Sequence, residues 1–187
     1  SRVSRYGSRI RSRTLCMSSS AAPGCRPFPL KECRFKRNDP AASGAVKTET
    51  AYFAGGCFWG LEHYFQLGPG VLEAVSGYMQ GSVDNPTYNQ VSSDTTGHAE
   101  TVKVVFDPSK ISYRRLLEAF FEMHDPTQLN RQGPDYGDQY RSGIWYANDE
   151  QKKQADEFIK ELSAQKKFGG QKIVTQVEAA KTFYPAE

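Results

Sequence analysis

From residue 46 to residue 187 the apolar positions alternate between a period of two and a period near 3.6, which marks alternating strands and helices. Glu49–Ala54 reads as a strand running into Gly55-Gly56. Phe58, Leu61 and Phe65 share one face of a helix over residues 58–67, broken by Leu67-Gly68-Pro69-Gly70. Residues 71–77 form a second strand, residues 81–97 a long polar loop, and residues 101–106 a β-branched strand. Ser112 caps a helix through His124, with Leu116, Leu117, Phe120 and Phe121 at helical spacing, and Asp125-Pro126 stops it. Residues 128–141 are a second long loop and residues 142–147 a strand. Asn148 with Gln151 resembles a capping box, opening a helix to about Lys167 with Ala155, Phe158, Ile159 and Leu162 on its apolar face. Residues 173–177 are the last strand.

Long loops and a strand-loop-strand stretch interrupt strict βαβ repetition. The expected class is therefore α+β: a two-layer α/β sandwich with a mixed sheet, of ferredoxin-like type. Residues 46–187 form the expected catalytic domain. Residues 1–45 show no periodicity and are rich in Arg, Ser, Ala and Pro. They read as a disordered extension or as a transit-type segment. The compartment is accordingly cytoplasmic, or plastid or mitochondrial if the segment is a transit peptide.

Charge sharpens this division. Residues 1–45 hold ten Lys or Arg against two Asp or Glu, so the net +3 of the chain belongs to the tail. The remainder is mildly acidic, which argues against nucleic-acid binding. No run is long and apolar enough to span a membrane.

Cys16, Cys25 and Cys33 lie in the tail, and Cys57 alone lies in the patterned region. Their spacing fits no metal site. Cys57 falls where a strand turns into a helix, and there free backbone N–H groups favour a thiolate. Gly55 and Gly56 permit a sharp turn, and Phe58 and Trp59 can wall a small apolar pocket. Glu100 leads out of the first long loop at a strand mouth, where a partly buried carboxyl can serve as an acid. His98 is a base for Cys57 or a loop histidine bonded to backbone. Asp135, Tyr136, Asp138 and Tyr140, on the second loop, suit hydrogen bonding to a small polar group, as does Tyr88. Two rival functions use the same residues: a cysteine hydrolase built on Cys57 and His98, and a non-enzymatic binding module.

Taken in order, Gly55-Gly56-Cys57-Phe58-Trp59-Gly60, Asn85-Pro86-Thr87-Tyr88, Gly97-His98-Ala99-Glu100, His124-Asp125-Pro126, and Gln132-Gly133-Pro134-Asp135 with Gln139-Tyr140-Arg141-Ser142 resemble the signatures of A-type peptide-methionine sulfoxide reductases. The resemblance covers about residues 50–187. It implies thiol-dependent reduction of methionine S-sulfoxide, free or in proteins, through a cysteine sulfenic acid, as repair of oxidative damage. It implies Cys57 as the catalytic cysteine, Glu100 as proton donor, and Phe58 and Trp59 as the S-methyl pocket. Tyr88 and Tyr140 would bond the sulfoxide oxygen and Asp135 would orient the substrate. No metal or organic cofactor is implied. The partners are the sulfoxide substrate and thioredoxin or another thiol as external reductant, acting on a monomer.

Two departures accompany the resemblance. Family members commonly carry a resolving cysteine in a C-terminal tail or in the loop before Gly-His-Ala-Glu, and here that loop reads Val91-Ser92-Ser93-Asp94. The chain stops at Pro185-Ala186-Glu187, where the family pattern continues, so the sequence reads as a fragment at both ends. Cys16, Cys25, Cys33 or an external thiol would then have to resolve the sulfenic acid.

Overall fold

The computed structural model describes residues 47–186. The expected N-terminal segment, with Cys16, Cys25 and Cys33, lies outside the described residues. In chain order the elements are β1 (Glu49–Ala54), α1 (Phe58–Gln66), β2 (Val71–Met79), α2 (Tyr88–Ser92), β3 (Ala99–Phe106), α3 (Tyr113–Met123), β4 (Arg131–Gln132), β5 (Asp135–Tyr136), a 3-10 turn (Asp138–Tyr140), β6 (Gly143–Tyr146), α4 (Asp149–Ala164), β7 (Gln176–Ala179) and β8 (Tyr184–Pro185).

The main sheet has the order β7-β6-β1-β3-β2-β8. Its four middle strands pair antiparallel, and β7 adds parallel to β6. β1 and β2 thus flank the opposed β3 and are joined by α1, a split β-α-β unit. The parallel edge makes the sheet mixed, as the sequence pattern predicts.

Alternation along the strands separates two faces. Ala51 and Phe53 of β1 and Val102, Val104 and Phe106 of β3 turn to the helices and bury fully. There they meet Leu61 and Phe65 of α1 and Leu116, Leu117, Phe120 and Phe121 of α3. Phe53 is central, with ring centroids 5.1 Å from Phe65 and 5.0 Å from Phe120. On the opposite face Ala54, Met79, Ala99 and Trp145 cluster under Tyr52, Ala180 and Phe183, so the extended C-terminal segment covers the back of the sheet. The indole N–H of Trp145 donates to Thr101 Oγ1 at 3.0 Å, which satisfies its one polar group.

Caps follow the sequence signals. Ser112 accepts from Arg115 N, and Asn148 Oδ1 accepts from Gln151 N. The Gln151 carboxamide then reaches Ala147 N and Thr50 O, tying α4 to β1 instead of closing a capping box.

Several boundaries differ from expectation. The loop over residues 81–97 contains α2, opened by a complete capping box between Thr87 and Gln90. Its single buried side chain, Val91, is too little to show a period. The loop over residues 128–141 contains the β4–β5 hairpin and the 3-10 turn. Helix α4 ends at Ala164, and Lys166 takes a left-handed backbone, φ 52°. The last long strand begins at Gln176, because Val174 N bonds Pro126 O at 2.8 Å before the chain reaches β6. The short strand β8 on the other edge had no sequence signal.

Candidate active site

Three segments converge at the N-terminal end of α1: the turn after β1, the start of β3, and the loop carrying the β4–β5 hairpin. The turn is glycine because nothing larger fits. A Cβ on Gly55 would lie 2.9 Å from Phe120 and 3.0 Å from His124. Gly56 has φ +91°, and a Cβ there would lie 2.6 Å from Gln132 Cγ.

Cys57 follows as the N-cap of α1, exposed, with no capping hydrogen bond from its side chain. It borders a depression of about 180 Å³ shared with Gly55, Gly60, Leu61, Tyr64, Met123, Gln132 and Asp135. Of the sequence-predicted site residues, Cys57 and Asp135 line this depression.

Glu100 reaches the same place from the core face of β3, directly across from Tyr78 of β2. It is 3 % exposed, and its Oε2 accepts from Phe58 N at 3.1 Å. The first free N–H of α1 thus faces a carboxyl instead of the thiol, a difference from the sequence-based picture of that helix end. Burial pushes the Glu100 carboxyl up to about 7; the Phe58 N–H opposes the rise and the Asp135 charge adds to it. A carboxyl in that state is half protonated at neutral pH.

The aromatic residues divide. Phe58 is buried, 1 % exposed, with its ring 5.6 Å from both Tyr78 and Trp59. It presents almost no surface to solvent. Trp59 is 61 % exposed and stacks on Tyr88, 6.2 Å away and 13° from parallel. Tyr140 feels the rest of the group: burial raises its phenol pKa first, followed by Glu100, Tyr88 and Asp135. Glu100, Tyr88 and Asp135 are therefore each within electrostatic reach of Tyr140.

Tyr136 and Asp138 lie apart from this group. Tyr136 is exposed, with the Arg131 guanidinium 4.5 Å from its ring centre. Asp138 N donates to Asp94 Oδ1 at 3.1 Å, and burial followed by the Asp94 carboxylate pushes the Asp138 carboxyl up to about 6. That contact joins the segment after α2 to the loop holding Tyr140.

His98 is fully engaged elsewhere. Its Nδ1 accepts from Gly81 N at 3.1 Å, so Nε2 carries the proton and donates to Val83 O at 2.7 Å. Neither nitrogen is free to activate Cys57, which removes the hydrolase pair. His124 is engaged likewise: Nδ1–H donates to Phe120 O at 2.8 Å and Nε2 accepts from Ser142 Oγ at 2.7 Å. Burial holds its pKa down at about 4.

Gln132 had no role in the sequence reading, although it stands inside the Gln132-Gly133-Pro134-Asp135 motif. It borders the Cys57 depression and packs on Gly56. Among the described residues no group of three or more His, Cys, Asp or Glu gathers as metal ligands would.

Comparison with known proteins gives one consistent result. The family model described as peptide methionine sulfoxide reductase matches residues 49–187. A protein of Pasteurella multocida (strain Pm70) named peptide methionine sulfoxide reductase MsrA is 56 % identical over 140 residues, 75 % of this chain and 79 % of that protein. The structure of methionine sulfoxide reductase A of Corynebacterium diphtheriae superposes with a TM-score of 0.72 at 37 % identity, covering 77 % of this chain and 72 % of that one. Mxr1 from Saccharomyces cerevisiae in complex with Trx2 superposes with a TM-score of 0.57 at 29 % identity, covering 82 % and 88 %.

Proposed function

The chain belongs to the peptide methionine sulfoxide reductase family, and from that premise we propose how its residues divide the work. The protein is an oxidoreductase that returns methionine sulfoxide to methionine at the expense of an external thiol. The observation that carries the division of roles is the buried Glu100 carboxyl, raised to about 7, at the helix end capped by Cys57.

Cys57 is the nucleophile. Its thiolate attacks the pyramidal sulfoxide sulfur, and the S–O bond cannot break unless its oxygen takes up a proton. Glu100 donates that proton, which a carboxylate of ordinary pKa could not do at neutral pH. Tyr88 and Tyr140 hold the oxygen as charge develops on it. Trp59, backed by Phe58, receives the S-methyl group, so one face of the sulfur meets the thiolate and the S epimer reacts. Asp135 orients the substrate. The S–S bond made by the attack then breaks as oxygen bonds to the Cys57 sulfur: its electron pair leaves with the substrate sulfur, which is reduced by two electrons to the thioether, and the cysteine is oxidised to a sulfenic acid. A first thiol then forms a mixed disulfide with Cys57 and releases water, and a second thiol frees Cys57. Thioredoxin supplies both thiols in this reading, a role supported by the complex of the yeast relative with Trx2.

The test compares the protein with Cys57→Ser on a methionine sulfoxide substrate with dithiothreitol as reductant. Turnover by the parent and none by the variant is the expected result. Equal turnover by both would remove Cys57 from the chemistry.

A further inference from the structure

The Cys57 side chain has no hydrogen bond to aim it, so its direction is set by the backbone of residues 55–57. We infer that Gln132 is the positioning residue that fixes this backbone, clamping the glycine turn to the hairpin that carries Asp135. The inference rests on the reading of Cys57 as the attacking thiol.

The Gln132 carboxamide pairs with the backbone of a single residue. Oε1 accepts from Asp125 N at 3.1 Å, and Nε2 donates to Asp125 O at 3.0 Å. A side chain held at both polar atoms has no free rotamer left. Its methylenes are therefore a fixed wall, and they stand 2.6 and 2.7 Å from where a Cβ on Gly56 would be.

The wall is itself anchored. Asp125 Oδ1 accepts from Thr127 N and Oγ1, and Oδ2 accepts from Gln128 Nε2 at 3.0 Å. Gln128 Oε1 in turn accepts from Gly133 N at 2.8 Å, so both flanks of Gln132 are tied to the same loop. Gln132 also borders the depression that holds Cys57 and Asp135. One side chain thus sets the spacing between the attacking sulfur and the substrate-orienting carboxylate. A displacement of about 1 Å at such a point is enough to cost about a hundredfold in rate.

Two variants separate positioning from bulk. Gln132→Met keeps the length and the packing on Gly56 but loses both hydrogen bonds. Gln132→Glu keeps the acceptor for Asp125 N, and donates to Asp125 O only when protonated. Single-turnover sulfenate formation is measured against methionine sulfoxide from pH 5.5 to pH 8, each variant as a ratio to the parent at the same pH. Melting temperatures are taken alongside.

For Gln132→Met the maximal rate should fall at least about tenfold at every pH, with the half-saturating substrate concentration little changed. For Gln132→Glu, whose carboxyl with an ordinary pKa of about 4.3 is ionised across this range and cannot donate to Asp125 O, the ratio should fall at least about tenfold at every pH. Either variant turning over at the parent rate overturns the proposal. If Gln132→Met does not fold, the Gln132→Glu rate decides alone. Failure of the parent itself to reduce the sulfoxide would instead sink the underlying assignment of Cys57.

Discussion

In the proposed mechanism Glu100 has to hold a proton near neutral pH and release it on demand, and its surroundings suit both needs. Burial favours the neutral acid, while the Phe58 N–H keeps the charged form accessible. Sulfenate formation should therefore slow as pH rises through about 7. Glu100→Gln should slow it by about 10²–10⁴-fold and flatten the profile, in stopped-flow single turnovers. Rates equal to the parent's across pH would take Glu100 out of the mechanism. The same shift acts on stability. The folded carboxyl titrates near 7, above the ordinary 4.5, so the folded state loses stability as pH rises across that interval. Glu100→Gln should consequently melt higher than the parent at pH 8, by up to about 3 kcal/mol, and match it near pH 4. Trp59 belongs to the same scale. Trp59→Ala should cost about 1–3 kcal/mol in kcat/KM for the S epimer, the worth of a methyl-sized apolar contact. An R-selective parent enzyme would contradict the assignment of this pocket.

At the scale of the element, the turn between β1 and α1 carries the site. Gly56→Ala places a Cβ at φ +91° against Gln132, and the clamp described above leaves no direction in which to yield. Destabilisation of about 1–3 kcal/mol is expected in urea titration, with loss of sulfenate formation even where the variant remains folded. A Gly56→Ala protein of parental activity would show that the turn tolerates movement. Much of this element is legible in the sequence. Gly55, Gly56 and Cys57 sit between a period-two run and a period-3.6 run, and a strand-to-helix turn is the simple outcome. The role of Gln132 is not legible, because it depends on the chain returning 75 residues later to lay a carboxamide beside Asp125. The burial of Phe58 is likewise not legible from the motif: it stands beside the exposed Cys57 in sequence, but the helix phase turns its ring inward onto Tyr78. The last strand shifted to Gln176 because one hydrogen bond from Val174 to Pro126 delays the pairing, and no local pattern encodes a long-range bond.

For the molecule as a whole, two buried groups pull stability in opposite directions. His124 titrates at about 4 in the folded state against an ordinary 6.5, so stability is lost as pH falls through that range. Glu100 acts in the reverse sense over much of the same interval. The parent should show a shallow dependence of melting temperature on pH between about 4.5 and 6.5, and Glu100→Gln a steeper rise with pH, since only Asp138 then opposes His124. Parallel curves would show that one of the two shifts is absent. The redox cycle is also a property of the whole chain. Cys57 is the single cysteine of residues 46–187, so that part has no partner for an internal disulfide. With Cys16, Cys25 and Cys33 all changed to Ser, the sulfenate should form as before and dithiothreitol should restore activity. A disulfide containing Cys57, seen by mass spectrometry in the parent after one equivalent of substrate and lost in the triple variant, would show that the tail resolves the enzyme.

The chain has two tryptophans, and they sit in opposite surroundings: Trp145 fully enclosed and bonded to Thr101, Trp59 largely in water against Tyr88. Their emission should separate into a blue-shifted band that a soluble quencher such as acrylamide cannot reach and a red-shifted band that it extinguishes. Substrate seated on Trp59 would shield only the second, while unfolding would move only the first. Occupancy of the site and integrity of the sheet can therefore be followed at once, in one cuvette, without a label.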